Sequence, residues 1–276
     1  MFTRCFPPRL PGGRKYPSLT PIGGEKDESK NMVSIGTSGW NYKHWKSRFY
    51  PPEVKQKDWL AFLAERFNTV EVNTSFYRIP KKETVQHWAE IVPANFRFAV
   101  KLWRGITHYK KLVGARPYVE SFLEVMDALP PTMRAPMLIQ LPPNQGKNVD
   151  KLRNFLREFQ EASGGQWRMA VEFRNAEWLS DDVYRVLDEA GAAICLHDMA
   201  GRGDTDREND VNFVYVRRHG SGAGKYAGCY SPEQIAADAK RVRHWAAAGK
   251  DVFVYYNNDI GGASFRNALT LRDLCK

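Results

Sequence analysis

The chain has 276 residues, of which 43% are hydrophobic and 26% charged, the proportions of an ordinary globular protein. Its formal net charge of +10 at pH 7 favours anionic partners, and its longest apolar runs, such as MLIQL and VFVYY, are too short to cross a bilayer. The cysteines at 5, 195, 229 and 275 form no CxxC or CxxxC pair, which excludes a zinc site or redox dithiol of the usual spacing. Scattered cysteines without a secretory signal predict a reducing compartment, the cytoplasm.

The first 31 residues differ in composition from the rest of the chain. They are rich in proline, glycine and charge, and they show no hydrophobic period of a strand or a helix. We expect residues 1–31 to be a disordered tail that lacks the apolar region of a secretory signal. Met32 follows directly, which makes it a candidate start codon and places the folded domain at 32–276.

From Met32 onward, short apolar runs alternate with amphipathic stretches. The predicted strands cover 32–37, 69–73, 96–101, 136–141, 168–173, 192–197, 212–219 and 251–258. The predicted helices cover 55–67, 82–92, 117–129, 149–162, 180–190, 232–248 and 264–274. A polar stretch, GRGDTDREND (201–210), stands where a helix is expected after the sixth strand.

This alternation predicts a parallel sheet with helical crossovers. Eight strand–helix units over 32–276 match a (β/α)₈ barrel, which usually has about 250 residues. An open doubly wound sheet is the alternative, but it normally has five or six strands, and no GxGxxG turn follows the first strand here. We therefore predict an α/β protein with a single-domain (β/α)₈ TIM-type barrel.

In such a barrel the chemistry lies where the strands end and the βα loops begin. Side chains alternate along a strand, so the outward valines Val70 and Val72 send Glu71 and Asn73 into the barrel. The same reasoning makes several polar strand ends converge on one mouth. They are Glu71, Lys101, Gln140, Glu172, Arg174, Arg217, His219 and Asn257. Tyr77 and Arg78 follow the second strand on a loop at the same face.

Structural interpretations compete with a functional one. Glu71–Lys101 and Glu172–Arg217 are candidate internal ion pairs that merely close the barrel, because burial of charges is costly unless they are paired. His108 either reaches the mouth or caps a loop, and His197 is equally well a satisfied core histidine. The first loop contributes aromatic residues that either stack on a ligand or pack over the barrel: Trp40, Tyr42 and Trp45.

Seven sequence blocks resemble the YecE-like family, known as domain of unknown function 72. They are GTSGWNYKHWKSRFYP, TVEVNTSFYRIP, FRFAVKLWRGITH, LIQLPP, VEFRNAEW, YVRRHG and YYNNDIGGASFRNA, in this order over nearly all of 32–276. The resemblance implies a (β/α)₈ barrel and no established activity. Its blocks fall on Glu71, Asn73, Tyr77, Arg78, Lys101, His108, Gln140, Glu172, Arg174, Arg217, His219, Asn257 and Asn258. Two features depart from it: the tail has no counterpart, and Arg218 stands where the family usually has leucine.

The first hypothesis is an enzyme that acts on a small anionic or sugar-like ligand. Lys101, Arg174 and Arg217 would hold a phosphate or carboxylate, while Glu71, Glu172 and His219 would join Lys101 in acid–base work. Lys101 is alternatively a Schiff-base residue. The expected ligand-binding residues are Asn73, Tyr77, Arg78, His108, Gln140, Arg174, Arg217, Asn257 and Asn258. No cofactor is expected, and a divalent metal on Glu71, Glu172 and His219 is not favoured beside these cations.

The second hypothesis is a barrel that binds or processes nucleic acid. The basic body would contact phosphates, and four loop aromatics would stack on bases. These aromatics are Trp40, Tyr42, Trp45 and Tyr77. No named nucleic-acid motif is present, which makes this the weaker hypothesis.

Overall fold

Eight parallel β-strands form the inner layer of the protein. The computed structural model describes residues 31–199, 205, 207–222 and 226–276; residues 1–30 of the predicted tail lie outside this range. The strands are β1 (Val33–Thr37), β2 (Thr69–Val72), β3 (Arg97–Lys101), β4 (Arg134–Gln140), β5 (Met169–Glu172), β6 (Ala193–His197), β7 (Phe213–Arg218) and β8 (Asp251–Tyr256). Their order is β1-β8-β7-β6-β5-β4-β3-β2, and every neighbouring pair is parallel. The predicted barrel is confirmed.

Seven α-helices in the described residues surround the strands. They are α1 (Trp59–Ala64), α2 (Lys82–Glu90), α3 (Arg116–Met126), α4 (Val149–Ser163), α5 (Asp181–Glu189), α6 (Pro232–Ala247) and α7 (Ala263–Leu274). Local sequence sets several of their ends: a Ser231–Gln234 capping box begins α6, and Gly164 in the left-handed conformation ends α4. No described helix has the length and apolar content needed to span a membrane.

The alternation of side chains along each strand divides the core into two layers. Outward residues such as Val70, Val100 and Val171 pack against the helices. Inward residues form a separate cluster inside the barrel, which includes Leu138 and Tyr215. Burial of both faces explains why the middle of most strands is an apolar run, with polar residues near the strand ends. The polar strand ends therefore have only the mouth of the barrel left to occupy.

The barrel closes where β1 meets β2. A hydrogen bond at each end joins the two strands, and a glycine lies between them. At one end the Asn68 side chain donates to the Val33 carbonyl at 2.9 Å, and at the other the Gly39 N–H donates to the Glu71 carbonyl at 2.8 Å. Between them, a Cβ at Gly36 would lie only 2.3 Å from the Thr69 carbonyl oxygen. Gly36 is therefore required by the close approach of two backbones.

The segment after β6 departs from the regular strand–helix repeat. Thr205 forms an isolated antiparallel bridge with His197, and the described residues 207–209 are not helical. The rest of the 201–206 stretch lies outside the described residues. Asn209 fastens the far end of this connection, because its side chain bonds the Ile194 N–H at 2.7 Å and the Asp188 carboxylate at 2.8 Å.

Candidate active site at the mouth of the barrel

Four charged strand ends meet inside the mouth. Glu71 on β2, Glu172 on β5 and Arg217 on β7 are fully buried, and Lys101 on β3 is 6% exposed. The predicted inward orientation of these residues follows from the outward packing of the valines and phenylalanines beside them. Charged groups at this depth need partners, so the partners define what each group can do.

Arg217 is the centre of the cluster. Its Nη2 and Nε bond the two oxygens of Glu71 at 2.8 and 3.0 Å, and its Nη1 bonds Oε2 of Glu172 at 2.6 Å. One guanidinium thus joins two carboxylates that come from strands on different sides of the barrel. The predicted Glu172–Arg217 pair is present.

Glu71 has no acceptor site left for a ligand. Besides Arg217, the Ser38 hydroxyl donates to Oε1 at 2.5 Å and the Tyr215 hydroxyl donates to Oε2 at 2.7 Å. Four hydrogen bonds satisfy this carboxylate, so it fixes the position of Arg217. The Glu71–Lys101 pair considered from sequence is not formed among the described residues, because Arg217 takes the position that Lys101 would need.

Glu172 is held by a second guanidinium. Its Oε1 forms an ion pair with Arg174 Nε and lies 3.7 Å from Nε2 of His219. Burial alone would raise the pKa of Glu172, but Arg174 and Arg217 outweigh it and hold that pKa well below the usual value. Glu172 is therefore an ionised group committed to two arginines.

His219 is a buried neutral imidazole. Burial lowers its pKa to about 3, with Arg217 and Arg174 adding to the effect, even though Glu172 opposes it. Asn257 contacts Nδ1 at 3.2 Å, and Asp198 accepts from the His219 backbone N–H at 2.8 Å. His197, in contrast, contacts the Phe173 carbonyl at 2.8 Å and is the satisfied core histidine that the sequence left as one of two options.

Lys101 is the cation of the mouth without a carboxylate partner. Within the described chain no carboxylate oxygen lies within 4.0 Å of its Nζ, which instead sits 3.9 Å from the centre of the Phe76 ring. Burial lowers the pKa of Lys101 to about 7, and the Arg217 charge adds to this, while Glu172 and Glu71 oppose it. Of the four predicted catalytic residues, Lys101 alone is a buried charged group without an oppositely charged partner in the described chain.

A groove of about 530 Å³ lies beside the mouth, on the side of β1 and β2. Asn73 and Tyr77 line it together with Trp40, Tyr42 and Trp88. The Asn73 Oδ1 is buried without a hydrogen-bond partner among the described atoms. Trp40 and Tyr42 thus face a cavity, as the ligand-stacking interpretation requires.

Trp45 and Asn258 contact other parts of the protein and line neither the groove nor the mouth. Trp45 is fully buried, and its indole N–H donates to Asp259 at 2.7 Å, so it packs over the barrel. Asn258 donates to the Gly228 carbonyl at 2.9 Å and to Asn267 at 2.8 Å. It joins the loop after β7 to α7 instead of facing the mouth.

The remaining predicted residues lie around the rim. His108 packs edge-on against the Phe76 ring at 4.9 Å, and burial, with help from Lys101, lowers its pKa to about 4. Gln140 is half-buried and lies in register with Glu172, while Arg78 is exposed. Sequence reasoning missed Phe76, whose ring contacts both Lys101 and Tyr77, because an apolar loop residue gives no polar signal.

A metal site is not visible in the described residues. They contain no group of three or more His, Cys, Asp or Glu side chains that suits a metal ion. Glu71, Glu172 and His219, the set considered from sequence, contact arginines instead. Donors committed to guanidinium groups do not fit a divalent cation.

Comparisons with known proteins agree with the architecture. A family model described as protein of unknown function DUF72 matches residues 34–276. The UPF0759 protein YunF of Bacillus subtilis is 28% identical over 88% of this chain and 94% of its own length, and UPF0759 protein YecE of Escherichia coli K12 is 29% identical over 54% and 51%. A crystal structure of a DUF72 family protein from Thermotoga maritima has a TM-score of 0.78 at 25% identity and covers 88% of this chain and 98% of that one.

Proposed function

The chain belongs to the DUF72 family, and we propose that it is an enzyme that acts on a small anionic ligand at the mouth of the barrel. The observation that carries this proposal is the buried ammonium of Lys101, which lacks a carboxylate partner in the described chain. An unpaired buried charge costs several kcal/mol, so a fold keeps one where a ligand supplies the opposite charge.

Lys101 is also the group best suited to exchange a proton with the ligand. A general acid or base works best when its pKa lies near the working pH, and the pKa of Lys101 is about 7. Glu172 is held ionised by two arginines, and His219 stays neutral, so neither fits this role near neutral pH. We assign Glu71, Glu172 and His219 to positioning Arg217 and Arg174 around the ligand.

The groove beside the mouth indicates what the rest of the ligand is. Its walls carry the rings of Trp40, Trp88 and Tyr77, and they include Asn73, whose buried side-chain oxygen has no hydrogen-bond partner among the described atoms. Sugar rings pair an apolar face with hydroxyl donors and fit such walls. The proposed ligand therefore has an anionic group at Lys101 and a hydroxylated ring in the groove. A covalent Schiff base on Lys101 is the alternative use of the same amine.

Nothing in this scheme calls for a cofactor or a metal ion, and we propose that the reaction takes place in the cytoplasm. The ammonium of Lys101 supplies the electrostatic stabilisation that a metal otherwise provides. Arg174 and Arg217 are paired with Glu172 and Glu71, so they hold the frame around it.

Thermal-shift and calorimetric titrations with inorganic phosphate, small carboxylates and sugar phosphates test the proposal. We expect a sugar phosphate or sugar acid to stabilise the wild type and Lys101→Met to remove that stabilisation. Lys240→Met, at an exposed position on α6, is the matched control and should leave it intact. Binding should weaken above pH 7, as Lys101 loses its proton. Equal binding by the wild type and Lys101→Met would refute the assignment.

A further inference from the structure

We propose that the loops after β2 and β3 form a binding surface for single-stranded nucleic acid. This basic-aromatic surface lies on the rim of the barrel and consists of Tyr77, Arg78, Arg104, Tyr109, Lys110 and Lys111. The proposal rests on the positive charge of this surface and on the exposure of its two tyrosines. It shares Tyr77 with the groove, but it needs no ligand at Lys101.

The charge of this surface is not compensated locally. The loop between β3 and α3, residues 102–115, contains three lysines and arginines and no aspartate or glutamate. Arg116, which follows this loop, pairs with Glu120 and Glu161, whereas Arg104, Lys110 and Lys111 have no carboxylate within 4.0 Å in the described chain. Uncompensated positive charge at one edge of a basic protein attracts polyanions.

Two exposed tyrosines flank one of these cations. Tyr77 is 58% exposed and Tyr109 68%, and the Arg104 guanidinium lies 5.5 Å from the centre of each ring. Alternating rings and guanidinium groups are what unpaired bases and phosphates require, because bases stack on the rings while the cations contact the backbone. Sequence-independent binding follows, since every base has a face that stacks.

The backbone presents these side chains in a fixed way. Tyr109 ends a π-helical turn at Gly105–Tyr109, an irregularity frequent at functional sites. Leu112 adopts a left-handed φ of 70° and is 3% exposed, so it anchors the loop while Lys110 and Lys111 remain outside. The left-handed conformation of a leucine costs free energy, so it persists only where the surrounding contacts hold the backbone in place.

Unpaired strands suit this surface better than duplexes or lipids. In a duplex the bases already stack on each other, so exposed tyrosine rings gain no contact with them. The rings also carry hydroxyl groups beside a guanidinium, which fits bases and phosphates rather than acyl chains. Duplex nucleic acid and anionic vesicles are therefore the competing partners to include in the test.

Fluorescence anisotropy with a labelled 20-nucleotide thymidine oligomer tests the proposal. We expect binding by the full chain that weakens with salt, with a slope near −3 for about four neutralised phosphates at roughly 0.7 each. Tyr109→Ala should weaken binding about tenfold, the effect of one lost stacking contact. Lys110→Glu combined with Lys111→Glu should lower both the affinity and the slope. Melting curves check that each variant remains folded.

Lys240→Glu is the matched charge control for Lys110→Glu alone, because each change lowers the net charge by two and α6 follows β7 on the opposite side of the barrel from β2 and β3. It should change affinity less than twofold. Loss of binding in Lys240→Glu equal to that in Lys110→Glu would overturn the surface assignment. Tighter binding of a duplex of the same length, or binding of phosphatidylserine vesicles that depends equally on Tyr109, would also overturn the choice of partner.

Discussion

Replacing Lys101 with methionine should make the protein more stable. The change keeps the long stem against Phe76 and removes a buried charge that lacks a carboxylate partner in the described chain. The fall of the Lys101 pKa from 10.5 to about 7 corresponds to roughly 4–5 kcal/mol of destabilisation by the ammonium at pH 6. Loss of its contact with the Phe76 ring offsets about 0.5–2 kcal/mol of this gain. We expect a net gain of about 2–4 kcal/mol in the free energy of unfolding.

The gain should also depend on pH with a defined sign. Between pH 7 and 10.5 the unfolded chain holds a proton on Lys101 that the folded chain has released, so wild-type stability rises with pH in this window. Below pH 7 both states are protonated and the cost is complete. Urea denaturation at pH 6 and pH 9 should therefore show the advantage of Lys101→Met shrinking by about 2–3 kcal/mol. A loss of about 3–5 kcal/mol at both pH values would instead reveal a buried ion pair and refute this assignment.

The other predictions concern the frame around Lys101. Arg217→Leu should cost at least about 3–5 kcal/mol in urea denaturation, because it strands Glu71 and Glu172; a smaller loss would show that the carboxylates find other partners. Gly36→Ala should lower stability by about 1–3 kcal/mol, since its Cβ would collide with the β2 backbone, and an unchanged melting temperature would show that β1 and β2 do not approach so closely. Dialysis against a chelator should leave the melting temperature unchanged, whereas stoichiometric metal by elemental analysis would restore Glu71, Glu172 and His219 as ligands. Arg218→Ala should destabilise the protein by about 3 kcal/mol, because Arg218 and Asp238 pair behind β7, and this should leave ligand binding intact.

Strand periodicity is enough to predict which residues enter the mouth. Val70, Val72 and Val100 are apolar residues that face the helices, and this alone determines the inward positions of Glu71 and Lys101. The same alternation that points Asn257 into the barrel sends Asn258 outward, so its contact with α7 follows from the period as well. The family resemblance alone suggested Asn258 as a ligand-binding residue.

Pairing inside the mouth could not be predicted in the same way. Periodicity gives the face and the height of a side chain, but a partner is chosen across the barrel among several strands at similar distance. Glu71 and Lys101 lie on β2 and β3, which are neighbours in the chain and in the sheet. Arg217 on β7 nevertheless extends across the barrel and bonds both carboxylate oxygens of Glu71. Ser38 and Tyr215 donate the remaining hydrogen bonds to this carboxylate, and only the three-dimensional structure reveals them.

The loops set a further limit on sequence reasoning. Trp40, Tyr42 and Trp45 lie within six residues of one loop. Neither the strand period nor the helix period applies there, so the sequence does not show which of them is buried. The structure buries Trp45 against Asp259 and leaves the other two at the groove, because a short helical turn at Lys43–Trp45 rotates Trp45 toward the core. Loop conformation of this kind depends on tertiary contacts that a single sequence does not display.

A crystal structure of the protein soaked in a sugar phosphate shows directly whether Lys101 binds the anion. We expect density for the anionic group within hydrogen-bond distance of Lys101 Nζ, with the ring in the groove beside Asn73 and Tyr77. Arg217 should keep its bonds to Glu71 and Glu172 in that complex. An anion bound only elsewhere, or Lys101 paired with a carboxylate while the mouth excludes the ligand, would show that Lys101 is not the anion-binding group.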